Sequence, residues 1–96
     1  MTADLAEFVM DQLAGDRVRR MFGGWGIYRN GEMVAIVYDG RAYIKARTEA
    51  DRARFIDFGM SPFRPNARQT FNSFWEVPPE VLDDAGTLRA WTEHAD

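Results

Sequence analysis

The stretch that decides the fold is residues 25–40, which read WGIYRNGEMVAIVYDG. Asn-Gly at 30–31 and Asp-Gly at 39–40 are pairs that two-residue hairpin turns favour, because those turns need positive φ at their central positions. Between them, Glu32–Tyr38 carries apolar side chains at both alternating sets of positions. Such a segment is typical of a central strand covered on both faces. We therefore predict an antiparallel meander with a buried middle strand.

Extended segments flank this strand on both sides. Upstream, Arg17–Phe22 and Trp25–Arg29 are separated by Gly23-Gly24. We expect a bend or bulge at these glycines, where the backbone takes positive φ or a side chain would clash. Downstream, Arg41–Arg47 alternates apolar and polar residues and closes a meander of three or four strands.

Helices precede and follow the meander. The spacing of Leu5, Phe8, Val9 and Leu13 predicts a helix over 3–14. Thr48 has the character of an N-cap, with Asp51 in a box-like start, and predicts a second helix over 49–58.

The last third of the chain mixes loop, strand and helix signals. Pro62 and Pro65 predict a loop over 60–66. Residues 67–77 are predicted to be extended, with a bulge or a second hairpin where the alternation breaks between Phe74 and Trp75. Two helices are expected to follow, a short one at 79–82 and a last one over 85–95, the latter capped by Asp83 or Asp84. A run of strands with tight turns predicts a single α+β domain over 1–96 with an antiparallel sheet.

Composition excludes several classes of protein. The 96 residues contain no cysteine, which excludes a disulfide scaffold, a zinc-thiolate site and a thiol nucleophile. Charged residues interrupt the first apolar stretch, so it is neither a signal peptide nor a membrane span. We expect a soluble, cytoplasmic protein with no membrane partner.

Residue types suited to catalysis or metal binding are few. His94 is the sole histidine and Lys45 the sole lysine. A surface histidine near a helix end and a solvated strand lysine are the favoured interpretations. Asp83-Asp84 is typical of a helix cap rather than of paired catalytic carboxylates. We predict no catalytic residues, no metal ligands and no cofactor.

Basic residues concentrate in the middle of a chain whose net charge is −3. One interpretation is a nucleic-acid face, with Tyr28 or Tyr43 stacking on bases. The other is a solvated sheet edge whose charges discourage association, and the negative net charge favours it. The candidate phosphate contacts are Arg17, Arg19, Arg20, Arg29, Arg41 and Arg47.

A family resemblance is more specific than any of these patterns. The run Met21 to Tyr28, followed by Gly31-Glu32-Met33, Tyr43-Ile44-Lys45 and Val77-Pro78, resembles the N-terminal domain family of TfoX/Sxy, the regulators of competence genes. The resemblance covers about residues 17–91. The motif residues, which we expect to be structural, are Met21, Phe22, Gly23, Gly24, Gly26, Tyr28, Tyr43, Lys45 and Pro78.

The resemblance implies the order α-β-β-β-α-β-β-α: a three-stranded meander plus a two-stranded hairpin, packed with helices as in type III secretion chaperones. It implies a regulatory, non-enzymatic role in partnership with the transcriptional machinery. Full-length regulators of this family carry a second domain, and this chain ends where the first should. Phe74-Trp75 stands where the family usually has two tyrosines.

Three functions follow as hypotheses. The first is an interaction domain with an apolar surface that a homodimer would cover, drawn from strand Glu32–Tyr38 and from Trp25, Tyr28, Phe63 and Trp75. The second is direct nucleic-acid binding through the arginine-rich meander. The third is an enzyme or small-ligand module, which needs a cleft with converging polar groups.

Overall fold

The fold is α+β, as predicted, with the predicted order of helices and strands. A computed structural model describes residues 2–21 and 23–93. The strands form one antiparallel sheet in the order β1-β2-β3-β4-β6-β5. The elements are α1 (Thr2–Gln12), β1 (Arg17–Met21), β2 (Gly24–Arg29), β3 (Glu32–Tyr38), β4 (Arg41–Lys45), α2 (Glu49–Asp57), β5 (Pro62–Asn66), β6 (Gln69–Glu76), α3 (Pro79–Leu82) and α4 (Ala85–Glu93).

One segment departs from the prediction. Residues 60–66 were predicted to be a loop because of their prolines, yet Pro62–Asn66 is strand β5. The strand lies at the edge of the sheet, where proline is tolerated because the outward positions need no N–H donor. The predicted second hairpin exists, but it turns at residues 67–68.

At Phe74–Trp75, where the sequence predicted a bulge or a second hairpin, the two sides of β6 differ. Both residues pair in regular register with β4, opposite Lys45 and Ile44. Toward β5 the register shifts: Trp75 lies opposite Pro62 and Phe71 opposite Phe63, so β6 has the extra residues in this stretch. Because β6 is regular toward β4, Phe74 and Trp75 point to opposite faces of the sheet, and each joins a different core.

The larger core lies between the sheet and the helices. Val37 of β3 and Ile44 of β4 are fully buried there. They pack in one cluster with residues of all four helices, among them Val9, Phe55 and Leu88. This burial is the main source of stability, since apolar area removed from water contributes about 25 cal/mol per Å².

A second, smaller core lies on the opposite face. Ile36 and Tyr43, one position along from the helix-facing residues, pack with Phe63 and Phe74. The ring of Phe63 lies 5.3 Å from that of Tyr38 and 4.9 Å from that of Tyr43. Hairpin β5–β6 therefore curls over this face, and the prediction of a middle strand covered on both sides is confirmed.

Polar caps begin the helices as the sequence predicted. The Thr48 hydroxyl accepts from the backbone N–H of Asp51 at 3.1 Å. The Asp51 carboxylate, 1% exposed, accepts from the backbone N–H of Arg47 and from the Arg54 guanidinium. Asp84 accepts from the N–H groups of residues 86 and 87 and so caps α4. These bonds satisfy donors that the first turn of a helix leaves free.

Both reasons expected for the paired glycines apply. Gly23 has φ of +80°, which permits the tight turn between β1 and β2. Gly24 meets the β3 backbone closely: a Cβ there would collide with the carbonyl oxygen of Val37 and lie 3.2 Å from the Cα of Tyr38. The absence of a side chain at Gly24 thus allows the β1–β2 hairpin to approach β3.

Gly24→Ala is expected to lower the free energy of unfolding by about 1–3 kcal/mol, because the β3 backbone cannot move away without loss of strand pairing. Urea unfolding followed by circular dichroism measures the change. Gly86→Ala is the control: its new methyl group would meet only the Asp84 carboxylate, at 3.5 Å, and stability should stay the same or rise slightly. Equal midpoints for Gly24→Ala and the native chain would contradict the close-approach argument.

Candidate interaction surface

Edge strand β1 carries three exposed arginines: Arg17, Arg19 and Arg20. Arg20 lies opposite Trp25 of β2, with its guanidinium carbon 5.5 Å from the centre of the indole ring. None of the three belongs to an ion pair among residues 2–21 and 23–93. Their positive charge is therefore available at the surface.

The other three candidate phosphate contacts are bonded within the fold. Arg29 donates to the carbonyl oxygen of Leu13 at 2.9 Å, close to the end of α1. Arg41 lies 3.6 Å from the Glu76 carboxylate, and Arg47 pairs with Glu32. The structure therefore does not bring the six arginines into one face; of the six, those of β1 are the ones whose side chains form no ion pair or main-chain hydrogen bond among the described residues.

Glu32 of β3 forms ion pairs with two cations, Lys45 and Arg47. Its carboxylate accepts from Lys45 Nζ at 2.9 Å and from both terminal nitrogens of Arg47 at 2.8 and 3.2 Å. These hydrogen bonds, from Arg47 first and Lys45 second, lower the pKa of Glu32 from 4.5 to about 2. Lys45, the sole lysine, is thus an ion-pair partner with a structural role.

A small groove lies beside β1 on the helix side of the sheet. Its walls are Ala6, Glu7 and Met10 of α1, together with Val18 and Trp25. The cavity is about 250 Å³, below the roughly 300–1,000 Å³ of small-molecule pockets. It has room for an apolar side chain rather than for a drug-sized ligand.

The predicted aromatic surface divides into two pairs. Trp25 and Tyr28 are half-buried on β2 and reach the surface. Phe63 is 0% exposed and Trp75 8% exposed, so neither can form a surface of this chain. Phe63 lies beneath the curled hairpin. Trp75 stacks on Phe55 at 6.1 Å and donates its indole N–H to a backbone carbonyl.

Three other residues of the family motif, Tyr43, Pro78 and Gly26, pack within the fold. Tyr43 is buried against Phe63, and burial raises the pKa of its phenol, with the nearby Glu76 carboxylate adding to the effect. Pro78 is buried directly before α3. Gly26 allows Met21 to pack closely, because a Cβ there would lie 2.6 Å from the Met21 sulfur. Phe22 and His94 lie outside the described residues.

Two exposed apolar side chains lie away from β1, at the end of α2. Ile56 is 58% exposed and Phe58 48% exposed. Ile56 also lines an open groove of about 560 Å³ between α2 and β6. Phe58 makes an edge contact with Trp91 at 5.1 Å. The sequence does not indicate their exposure, since apolar residues near a helix end give no sign of which side they face.

The groove beside β1 was missed for a related reason. The β1–β2 register places Arg20 opposite Trp25, and counting outward from the glycines could have found this pair. The packing of α1 against Val18 and Trp25 is a tertiary contact. Nothing in the sequence pattern indicates it.

Metal-ligand clusters and membrane-spanning helices are both absent from the part of the chain that the structure describes. Residues 2–21 and 23–93 contain no group of three or more His, Cys, Asp or Glu side chains placed to hold a metal ion. No helix within those ranges is both long and apolar enough to cross a bilayer.

The fold is an open antiparallel sheet with helices on one face and a charged edge strand, an α+β domain. The sequence profile of the TfoX N-terminal domain matches residues 9–95, and the chain belongs to this family. A curated relative, the DNA transformation protein TfoX1 of Aliivibrio fischeri (strain ATCC 700601 / ES114), is 41% identical over 46 residues. That match spans 48% of this chain and 22% of the relative. The resemblance stated from Met21–Tyr28 is confirmed.

Glu32→Gln is expected to destabilise the fold by about 1 kcal/mol at neutral pH, a small value because the carboxylate is 42% exposed and screened by water. The folded pKa of about 2 lies below the ordinary 4.5. The stabilisation by the carboxylate is therefore present above pH 4.5 and is lost as the pH falls toward 2.

Urea unfolding at a series of pH values measures this prediction. The difference between the native chain and Glu32→Gln should shrink across that acidic window. Glu7→Gln, the same change at an exposed position of α1, serves as the control and should show no such trend. A pH-independent difference for Glu32→Gln would contradict the ion-pair account.

Proposed function

We propose that this chain is a cytoplasmic, non-enzymatic regulatory domain that modulates the transcription of competence genes through protein contacts. The observation that carries the proposal is the surface at β1: its three arginines form no ion pair within residues 2–21 and 23–93, and its Val18 lines an apolar groove. Charge next to a small apolar depression is typical of a protein-contact site. Family membership and the name of the curated relative support a role in DNA transformation.

Several observations support a regulatory role rather than a catalytic one. The sole lysine is held in an ion pair with Glu32, and the Asp83-Asp84 pair contributes a helix cap. The cavity beside β1 is lined mainly by apolar side chains and lacks a converging set of polar groups. Catalytic sites are characterised by such sets.

Nucleic-acid binding through the meander is the second candidate. Arg17, Arg19 and Arg20 favour it, because consecutive arginines on an open strand can contact phosphates. The internal bonds of Arg29, Arg41 and Arg47 and the net charge of −3 weigh against it. Protein contact is therefore the function we favour.

The proposal also includes the homodimer expected from the sequence, but with a different interface. Phe63 and Trp75 are buried, so the apolar contact would involve Ile56 and Phe58 at the end of α2. Exposed apolar groups of this kind gain stability when a second copy covers them.

We expect the double variant Arg17→Glu/Arg19→Glu to reduce competence-gene transcripts and transformation in the native host to the level of a deletion of this gene. Reversal of two exposed charges opposes the partner without touching the core. Transcript levels and transformation frequency are the measurements. Arg64→Glu/Arg68→Glu, the same change at exposed positions of the β5–β6 hairpin, is the matched control and should behave as the native chain. Native behaviour of the gene deletion itself would contradict the proposed function.

In vitro, fluorescence anisotropy with labelled duplex DNA at low salt should detect no binding by the native chain. The second candidate predicts the opposite: binding that falls steeply with salt, since bound cations are released from DNA, and that is lost in Arg17→Glu/Arg19→Glu. That result would replace protein contact with nucleic-acid contact.

Light scattering over a concentration series tests the dimer. The native chain is expected to reach the mass of two copies as concentration rises, and Ile56→Lys is expected to remain at one. The lysine places a charge in the apolar contact, at a position already 58% exposed, so the fold itself should tolerate it. A single-copy mass for the native chain at all concentrations would contradict the dimer.

A further inference from the structure

We propose that β1 accepts an extended segment of the partner protein as an additional strand, and that this segment alternates acidic and apolar residues. This inference rests on the proposed function and specifies the chemistry of the partner. A strand that adds to a sheet edge gains affinity from main-chain hydrogen bonds and specificity from alternate side chains.

The two edges of the sheet differ in their capacity to pair with another strand. Edge strand β5 contains Pro62 and Pro65, which have no N–H to donate. Edge strand β1, Arg17–Met21, contains no proline, and no described strand pairs with its outer side. Its alternate N–H and C=O groups therefore remain open to a partner.

Side chains alternate along β1, which defines two different contacts for an added strand. Val18 packs with the helix-side core, and Arg20 lies over Trp25 on that same side. Arg17 and Arg19 consequently project from the opposite face. Cross-strand neighbours share a face, so the residues of an added strand that lie on that face meet two guanidinium groups. Acidic residues fit there.

On the helix side, an added strand meets the groove lined by Met10, Val18 and Trp25. Its volume, about 250 Å³, suits an apolar side chain, and the flexible Met10 can adapt to its shape. Among the lining residues that the structure describes, Glu7 is the acidic one. Its charge repels a carboxylate in the groove, so the residue that enters is apolar. An added strand therefore places acidic residues on the face of Arg17 and Arg19 and apolar residues on the face of the groove.

Two other occupants fit less well. A second copy of this chain paired through β1 would bring arginine rows opposite each other, and like charges directly opposite are destabilising. A duplex DNA would contact the arginines but leave the apolar groove unfilled. An acidic–apolar strand satisfies the guanidinium groups, the groove and the open backbone at once.

The first experiment uses the full chain and a short labelled peptide of alternating glutamate and leucine. Fluorescence anisotropy measures its binding, and the control peptide has the same composition arranged in blocks. We expect the alternating peptide to bind at least about tenfold more tightly than the block peptide, since only it presents each residue type to the matching face. Equal affinities would overturn the proposal.

Backbone methylation of the peptide separates strand addition from charge attraction. N-methyl groups on one alternate set of peptide amides should abolish binding, because those amides donate to β1. N-methyl groups on the other set should leave binding within about twofold of the parent, because those amides face away from the sheet. If both peptides bind as the parent does, the contact is not a strand and the proposal fails.

Variants of the chain locate the site. Arg17→Glu/Arg19→Glu is expected to weaken the alternating peptide by at least about tenfold, and the matched Arg64→Glu/Arg68→Glu by less than about twofold. Amide chemical shifts of the native chain should change most at residues 17–21 on peptide addition. Largest changes at the α2 end, or displacement of the peptide by duplex DNA from the same residues, would overturn the assignment. If the peptide does not bind at β1 but deletion of the gene still lowers the competence-gene transcripts, strand addition is rejected and the proposed function is retained.

Discussion

The burial of strand β3 on both faces is the constraint on which the rest of the structure depends. Val34–Val37 are at most 1% exposed, so each face of the sheet needs its own covering layer. A chain of 96 residues has enough helix for one face only, and helices α1, α2, α3 and α4 supply it. The other face is covered by an aromatic hairpin. Phe63, at its centre, contacts Tyr38, Tyr43 and Phe71. These rings cover the apolar surface of this face, as a packed helix would.

This arrangement determines where the glycines must be. The β1–β2 hairpin can join the sheet only if its backbone comes close to β3, and Gly24 faces the Val37 carbonyl at a distance that excludes a Cβ. The space at Gly26 is filled by the sulfur atoms of Met21 and Met33. Gly24 and Gly26 thus have a packing role within β2, and no helix follows the glycines as it would in a phosphate-binding loop. The same packing fixes the position of β1 at the edge.

The sequence predicted those features that depend on local geometry. Asn30 and Gly31 both take positive φ in the turn, as does Asp39 with Gly40, and the strands they join have the predicted places. Thr48 caps α2 for the same local reason. Most of the fold could therefore be predicted from turn residues and alternation.

Features that depend on tertiary contacts could not be predicted in this way. Pro62 and Pro65 lie in a strand because that strand is at an edge, and the position of an edge depends on the whole sheet order. Phe63 and Ile56 are both apolar, yet one is 0% and the other 58% exposed. Phe63 is buried because hairpin β5–β6 curls over the sheet, whereas Ile56 is exposed near the end of α2. The candidate site was the least predictable feature, since the residues at the surface are those that the tertiary packing leaves uncovered.

Charge pairing explains why β1 differs from the rest of the meander. Glu32 neutralises Arg47 and Lys45, and Glu76 lies beside Arg41. Within the meander, positive charge outside an ion pair or main-chain hydrogen bond is thereby confined, among the described residues, to the strand whose outer backbone groups pair with no described strand. Main-chain hydrogen bonds alone cannot distinguish one extended partner from another, because every residue except proline offers the same groups. Specificity at this edge must therefore come from the arginines and the groove, whose opposite chemistry lies on opposite faces of one strand.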